Sequence, residues 1–573
     1  MKLTVESKQI VLPVDAVINI ERSTPLLNDD TGSYSFPFPV PTLPNQQNLN
    51  WPGKLQRTGD IVTQKFILED SGIQVFRGEV GYDEITAQEI GLILQSGFTE
   101  FTKKMEGKKL ADINYGSESW PVTSSSVWDT GLMASKLAEW DTANVTDNGK
   151  YVMAPFFCKM SYAPGYLLPV NYHAYGTDNI ARLRMTLVAN TDLYHTFCFE
   201  FRLAFIFRKI FESAGYTIAV DNLALSEFNK AIFYGNMITI QGQHLSGIYT
   251  ISPVMNTIEY AKMMPDMLVL DFINLVKGLF CIMYEIDELK KEVRIKFKKD
   301  VFLPENLDPM KITELAGWIH KEERAFKGYT LRYGEQDDPL DTYTDWPNII
   351  YIQNPLPEPT VDGQILQSAC ERTYLTTPNS EEVLEWKEVG RLRECKAGEG
   401  ENVVELNIKV PAQLMLEDSP NPPVIYNPWG DYYGEPPDYF NTEQPIFPNL
   451  MRISNDTITM MNGLYISLYH GRKTFGTIIY PYTSFDRYSR DGSIDTGMSL
   501  KPTYLYNTVY SEFLNWQTYR ARAFTKYIEL SLLQLILLQW GKRYSINGIA
   551  VILNIIRYDL PYRGKVEIEG FTA

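Results

Sequence analysis

Apolar and polar side chains alternate through most of the first 70 residues. "KLTVESKQIVLP" and "DAVINIERS" carry apolar residues at nearly every second position, the period of a strand with one buried face. The arm that follows, "SYSFPFPVPTLPNQQNLNWP", contains Pro37, Pro39, Pro41 and Pro44. Proline lacks the amide donor of a central strand, so this arm is expected on a sheet edge or along a neighbour. "IVTQKFILEDSGIQVFRGEVGYDEI" predicts a hairpin turning at Ser71-Gly72, "EIGLILQSG" a further strand, and "FTEFTKKMEGKKLADI" a short amphipathic helix. Residues 1–112 therefore read as an N-terminal β-barrel-like or sandwich domain with one helix.

Periodicity fades over residues 113–190, which are rich in Ser, Gly, Tyr and Pro and are expected to form a loop-rich surface insertion. It returns at "FCFEFRLAFIFRKIFESAGY", a strand that becomes a helix from about Leu203 and ends at Gly215. In "PDMLVLDFINLVKG", Pro265 and Asp266 suit a first helical turn, and Leu268, Phe272, Leu275 and Leu279 share one face. Gly278 is expected to stop that helix. "LFCIMYEI" and "EVRIKFKKD", joined by the charged turn "DELKK", predict a hairpin, so residues 191–330 form an α/β unit of helix plus hairpin. Residues 331–455 read as a β domain ("GYTLRYG", "NIIYIQNP", "ENVVELNIKVP") with a long Pro/Tyr-rich loop over 413–450. Residues 456–573 read as a C-terminal mixed α/β domain, from "LYISLYHGR" through the helix-like "YNTVYSEFLNWQTYRARA" to the strands "SINGIAVILNIIRYDLP" and "KVEIEG". The fold class is thus α+β and β-rich, with several small β-barrel or sandwich domains, short helices and long Pro/Tyr-rich loops. A chain of 573 residues exceeds one core and predicts roughly three to five packed units.

Charge narrows the function. The net charge is −17 with a sequence pI near 5.0, and no cluster of Lys and Arg supplies the cations that displace counterions from nucleic-acid phosphates. A DNA grip is excluded, whereas a conduit through which DNA slides without sticking is not. Aromatic residues reach 13%, with 36 Tyr and 10 Trp, a supply of apolar bodies with polar tips that suits subunit interfaces and sugar platforms alike. The opening alternates instead of offering a continuous apolar core of a secretion signal. The apolar stretch from Leu530 to Leu538, broken by Ser531 and Gln534, is far short of the ~20 residues of a spanning helix. No membrane anchor is expected, and synthesis in a bacterial cytoplasm is.

Candidate chemistry is sparse. Cys158, Cys198, Cys281, Cys370 and Cys395 are odd in number and contain no CxxC, so buried free thiols are expected instead of a disulfide framework or zinc site. His173, His195, His244, His320 and His470 form no HxH or HExxH pair, and no nucleophile elbow, P-loop or GxGxxG is present. Asp337, Asp338, Asp341 and Asp345, and likewise Asp486, Asp491 and Asp495, offer oxygens that a calcium ion could use, although solvated turns explain them more simply. Tyr426, Trp429, Tyr432, Tyr433, Tyr439 and Phe440 suit interface packing or a glycan platform. No catalytic, cofactor-binding or metal residue is nominated, no cofactor is expected, and the chain reads as a non-enzyme.

Three stretches carry a resemblance. The opening "MKLTVESKQIVLPVDAVINIERSTPLLNDDTGSYSFPFPVPTLPNQQNLNWPGKLQR" resembles the start of tail proteins of tailed phages and prophages, in which a strand pair leads into a Pro-rich arm. "PDMLVLDFINLVKGLFCIMYEIDELKKEVRIKFKKDV" is similar to their helix-plus-hairpin, and the segment from "YNTVYSEFLNW" to "IIRYDLP" to their terminal helix and paired strands. The resemblance implies a central baseplate hub or tail-tip protein of the virion. It further implies two related β-barrel domains per chain and a homotrimer that meets tail tube and spike around a DNA channel. Two alternatives stand beside it: a cell-surface carbohydrate-binding protein, and a tail-associated glycan or peptidoglycan hydrolase. The latter needs two carboxylates roughly 5–10 Å apart in a cleft.

Overall fold

The computed structural model describes residues 1–27, 33–50, 64–119, 130–146, 149–160, 193–242, 257–287, 289–315, 465–475, 478–484 and 502–573, with shorter segments between these stretches. The chain is α+β and β-rich. Its opening is a hairpin, Lys2–Val5 with Lys8–Ile10, turning on Glu6 and Ser7 at φ of 45° and 67°. The second hairpin, Gln64–Asp70 with Ile73–Ile85, turns at Ser71 and Gly72 as the sequence predicts, with φ of 51° and 80°. Two successive positive φ values give the turn a twist that matches the flanking strands. The strands alternate as expected: Phe66, Leu68, Ile90, Leu92 and Leu94 are buried while their neighbours in sequence face outward or sit half-buried. In the proline arm, Phe38–Pro41 pairs, among the described residues, with Glu89–Ser96 alone and so is an edge strand, where missing amide donors cost nothing.

The strands at both ends of the chain belong to one sheet. Ile18–Ser23, from the N-terminal part, pairs antiparallel with Ile549–Leu560, from the C-terminal part, in the register Ile18↔Leu560 through Ser23↔Ile555. The mid-chain strand Leu307–Glu314 joins four C-terminal ones, Ala523–Glu529, Arg543–Ile546, Ile549–Leu560 and Lys565–Thr572; each pairs with two others of the five, so pairing passes round all of them. A single apolar core, from Leu3 and Phe66 to Tyr558 and Ile568, runs beneath both halves.

The second core lies in the centre of the chain. The helix Leu203–Ser213 forms where its spacing predicts and ends at Gly215 with φ of 89°, a left-handed conformation that costs glycine little. The helix expected over residues 265–278 differs from that reading. It spans Val269–Phe280 and runs through Gly278; Cys281, at φ of 50°, takes the left-handed cap. A helical glycine costs only about 1 kcal/mol, and burial of Leu279 and Phe280 outweighs that. The hairpin follows as Ile282–Asp287 with Glu292–Phe297, joined in parallel by Thr217–Asp221. The helical stretch from Pro502 to Arg520, with two wider turns, packs Trp516 against Phe302, Phe513 and Phe571. Part of residues 113–190 is built into this core: Trp140, on the helix Thr130–Thr142, is fully buried against Phe197 and Phe199.

Candidate functional site

The seam between the two chain ends carries an ordered row of polar side chains. The registers place Tyr34 opposite Glu21, Glu21 opposite Arg557, Arg557 opposite Glu567, and Glu567 opposite Tyr527, across five neighbouring strands. Each step of the row is bonded. Tyr34 donates its hydroxyl to Glu21 Oε1 at 2.7 Å, and Arg557 Nε donates to Glu21 Oε2 at 2.6 Å. Arg557 also donates to Glu567 at 3.3 Å and to Glu569 at 2.6 Å, and Tyr527 donates to Glu567 Oε2 at 3.0 Å. Opposed unlike charges on paired strands stabilise a sheet, and a guanidinium can bond several carboxylate oxygens at once. Burial opposes the charge on Arg557, but the bonds it donates to Glu569 and Glu21 outweigh that and raise its pKa. Burial and the bond to Glu21 push the Tyr34 hydroxyl up to about 12. Three carboxylates meet one guanidinium in the row, and Lys565 sits 4.2 Å over the Tyr527 ring, so carboxylates outnumber cations along it.

Further polar clusters lie in the central core. Glu118 accepts from Lys136 at 2.7 Å, from Trp140 Nε1 at 2.8 Å, from Tyr260 at 2.5 Å, and from Tyr151. Burial disfavours this carboxylate, but the four donors prevail and hold its pKa below the usual range. Asp141 lies 3.5 Å from His173 Nε2 and bonds Arg472 at 2.7 Å; against the penalty of burial, these partners lower it to about 2. The Nδ1 atom of His173 is 2.6 Å from the Asn171 carbonyl, which only accepts, so Nδ1 carries the proton. The Nε2 atom faces Asn144 at 3.4 Å. A His–Asp pair is the basic half of a nucleophilic triad; here Asp141 joins His173 and Arg472, a brace that ties the helix Thr130–Thr142 to the strands His173–Tyr175 and Ile466–Phe475. Glu200 is fully buried and accepts from Ala154 N at 3.2 Å and Asn171 Nδ2 at 3.4 Å; burial outweighs these bonds and raises its pKa well above the usual carboxylate range.

Of the residues singled out in the sequence, Cys198 and Cys281 are buried free thiols, with burial pushing Cys281 up to about 12. His173 joins the brace, and His470 packs on Tyr482. The side chains of Cys158, Cys370, Cys395, His195, His244 and His320 lie outside the described residues, as do both aspartate runs and the aromatic run 426–440. Among the described residues, no group of three His, Cys, Asp or Glu side chains is placed to hold a metal ion. No described helix is long and apolar enough to cross a membrane. Glu21, Arg557 and Glu118 were not nominated by the sequence. A charged residue interrupting an apolar strand, as in "ILNIIRYDL" and "INIERS", is the signal that marks the first two. "YGSESW" gives no such signal for Glu118.

No family model matches the chain, and no curated protein matches it. Among solved structures, the chain is similar to a 43 kDa tail protein of prophage MuSo2 from Shewanella oneidensis, at 7% identity and a TM-score of 0.32. The alignment covers 100% of this chain and 95% of that one. A likeness of that size fixes no role for this chain.

Proposed function

We propose that this chain is a structural subunit of a bacteriophage tail, placed in the hub or baseplate ring that joins the tail tube to the tail tip or spike. The observation that carries the reading is the bonded seam between the two ends of the chain. A ring subunit under load must keep its first and last elements together, and a shared sheet crossed by a row of charge-assisted bonds does so. The resemblance of the opening, the helix-plus-hairpin and the terminal strands to phage tail proteins supports the same reading. Three copies would surround the DNA path. The net charge of −17 and the excess of carboxylates along the seam suit a lumen that DNA crosses without specific binding.

Immunogold electron microscopy of induced or infected cultures, with antibody against residues 413–450, tests this reading. Gold at the distal end of tails is expected. Gold on cell envelopes with bare particles would overturn it in favour of surface glycan binding.

A further inference from the structure

A cleft of about 180 Å³ lies where the N-terminal strands, the hairpin Ile282–Asp287/Glu292–Phe297 and the segment 536–540 meet. That is below the roughly 300–1,000 Å³ of small-molecule sites and suits a single side chain. Its charge runs against that of the molecule. Four cations line it (Arg22, Arg77, Lys290 and Arg294) against two carboxylates, Glu285 and Asp287, in a chain with 53 basic and 70 acidic residues.

The two carboxylates are engaged within the cleft, Glu285 also accepting from Trp540 N at 3.1 Å. Arg294 lies 3.7 Å from Glu285 and 3.9 Å from Asp287, and Lys290 lies 3.7 Å from Asp287. Arg22 and Arg77 are held differently. Arg22 donates to the Leu535 carbonyl at 3.1 Å and sits over the Trp540 ring at 5.7 Å; Arg77 donates to the Leu289 carbonyl at 3.5 Å. Among the described residues neither guanidinium has a carboxylate within ion-pair distance. Each is aimed by a neutral acceptor and keeps most of its five N–H donors for something else. Leu537, on the rim, is 55% exposed and supplies apolar surface beside the charges.

We propose that this cleft is a docking site for a second copy of this chain, which inserts one carboxylate side chain between Arg22 and Arg77. Charge complementarity carries the choice of occupant. A basic cleft in an acidic molecule is complementary to the surface that every copy presents, and a head-to-tail contact of this kind closes into a ring when the rotation permits. The inference rests on the homo-oligomeric reading above and gives it a contact.

The test is sedimentation equilibrium of the full chain at 50 and 500 mM NaCl, for the wild type, Arg77→Gln and Lys290→Gln. Near-UV circular dichroism serves as the check on folding. The wild type is expected to self-associate, more weakly at high salt. Arg77→Gln is expected to weaken association about 30-fold at 50 mM (about 2 kcal/mol) and to flatten the salt dependence. Lys290→Gln, at an exposed position, should weaken it less. If Arg77→Gln alters the near-UV spectrum, Lys290→Gln decides: association and salt dependence equal to wild type overturn the proposal. An associating wild type with unchanged variants overturns the cleft alone and leaves the tail reading in place. A wild type that stays monomeric at ~100 µM overturns the cleft and the homo-oligomer together, leaving the position of the chain in the tail to microscopy.

Discussion

Replacing Glu118 by Gln removes one negative charge from a site with four donors, and the geometry of those donors sets the cost. The amide oxygen must face Lys136 and Trp140, because neither of those groups accepts a hydrogen bond. The amide nitrogen then faces Tyr151 and Tyr260, whose oxygens accept from it but whose hydroxyl protons lose their acceptor. Each buried donor left unmet costs about 1–3 kcal/mol. Lys136 keeps only Glu139, on an exposed side chain 2.9 Å away, as its counter-charge. The expected loss is about 2–5 kcal/mol, concentrated on the strand Ser117–Ser119, the helix Thr130–Thr142 and the turn Tyr260–Met263. Urea unfolding followed by near-UV circular dichroism, with hydrogen exchange over residues 117–119 and 257–260, measures it. The probes are read separately, since a chain of this length need not unfold in one step. The double variant Glu118→Gln/Lys136→Met should recover about 1 kcal/mol or more, because a buried cation left with only an exposed counter-charge is gone. The pH dependence has a definite sign. The folded pKa of Glu118 is depressed, so its stabilisation is fully present above the unfolded value near ~4.3 and is lost as pH falls through the folded one. The gap between wild type and Glu118→Gln should therefore narrow on acidification below about pH 4. A variant within about 0.5 kcal/mol of wild type at pH 7, with unchanged exchange, would refute the reasoning.

Two further outcomes are expected. Arg557→Gln leaves Glu21, Glu567 and Glu569 facing one another and should cost about 1–2 kcal/mol at low salt, less at 0.5 M NaCl because the side chains are partly exposed. Faster hydrogen exchange in Ile18–Ser23 and Ile549–Leu560 is the readout, and exchange unchanged from wild type would contradict the role given to the row. Glu200 has a raised folded pKa, so its contribution is present below the unfolded value and is lost as pH rises through the folded one. The melting temperature of Glu200→Gln relative to wild type should rise between pH 5 and pH 8, and a flat difference would show that Glu200 does not titrate differently on folding.

Local features of the fold were legible because local forces make them. Ser71-Gly72 reads as a turn since the following strand resumes alternation at once, and Leu203–Ser213 reads as a helix since its apolar positions recur at helical spacing before a glycine. The edge position of the proline arm follows from its missing donors. Gly278 misled because a glycine marks a helix end only when nothing beyond it needs burial, and Leu279 and Phe280 do. Nothing in the sequence signals the burial of Trp140 within residues 113–190. Weak periodicity suggests exposure, yet one tryptophan at position 140, bonded to Glu118, draws its helix into the core.

By itself, then, the sequence determined the β-rich class, the hairpins, the two central helices and an acidic molecule unsuited to gripping DNA. The pairing of Ile18–Ser23 with Ile549–Leu560 was decided only in three dimensions, as was the assembly of Glu118, Lys136, Trp140, Tyr151 and Tyr260 around one carboxylate. The basic cleft inside an acidic chain was decided there too. The physical reason is range. Turn and period signals act over a few residues, whereas strand partnership and charge pairing are selected by the whole folded surface, and Glu21 meets Arg557 across 536 positions of chain.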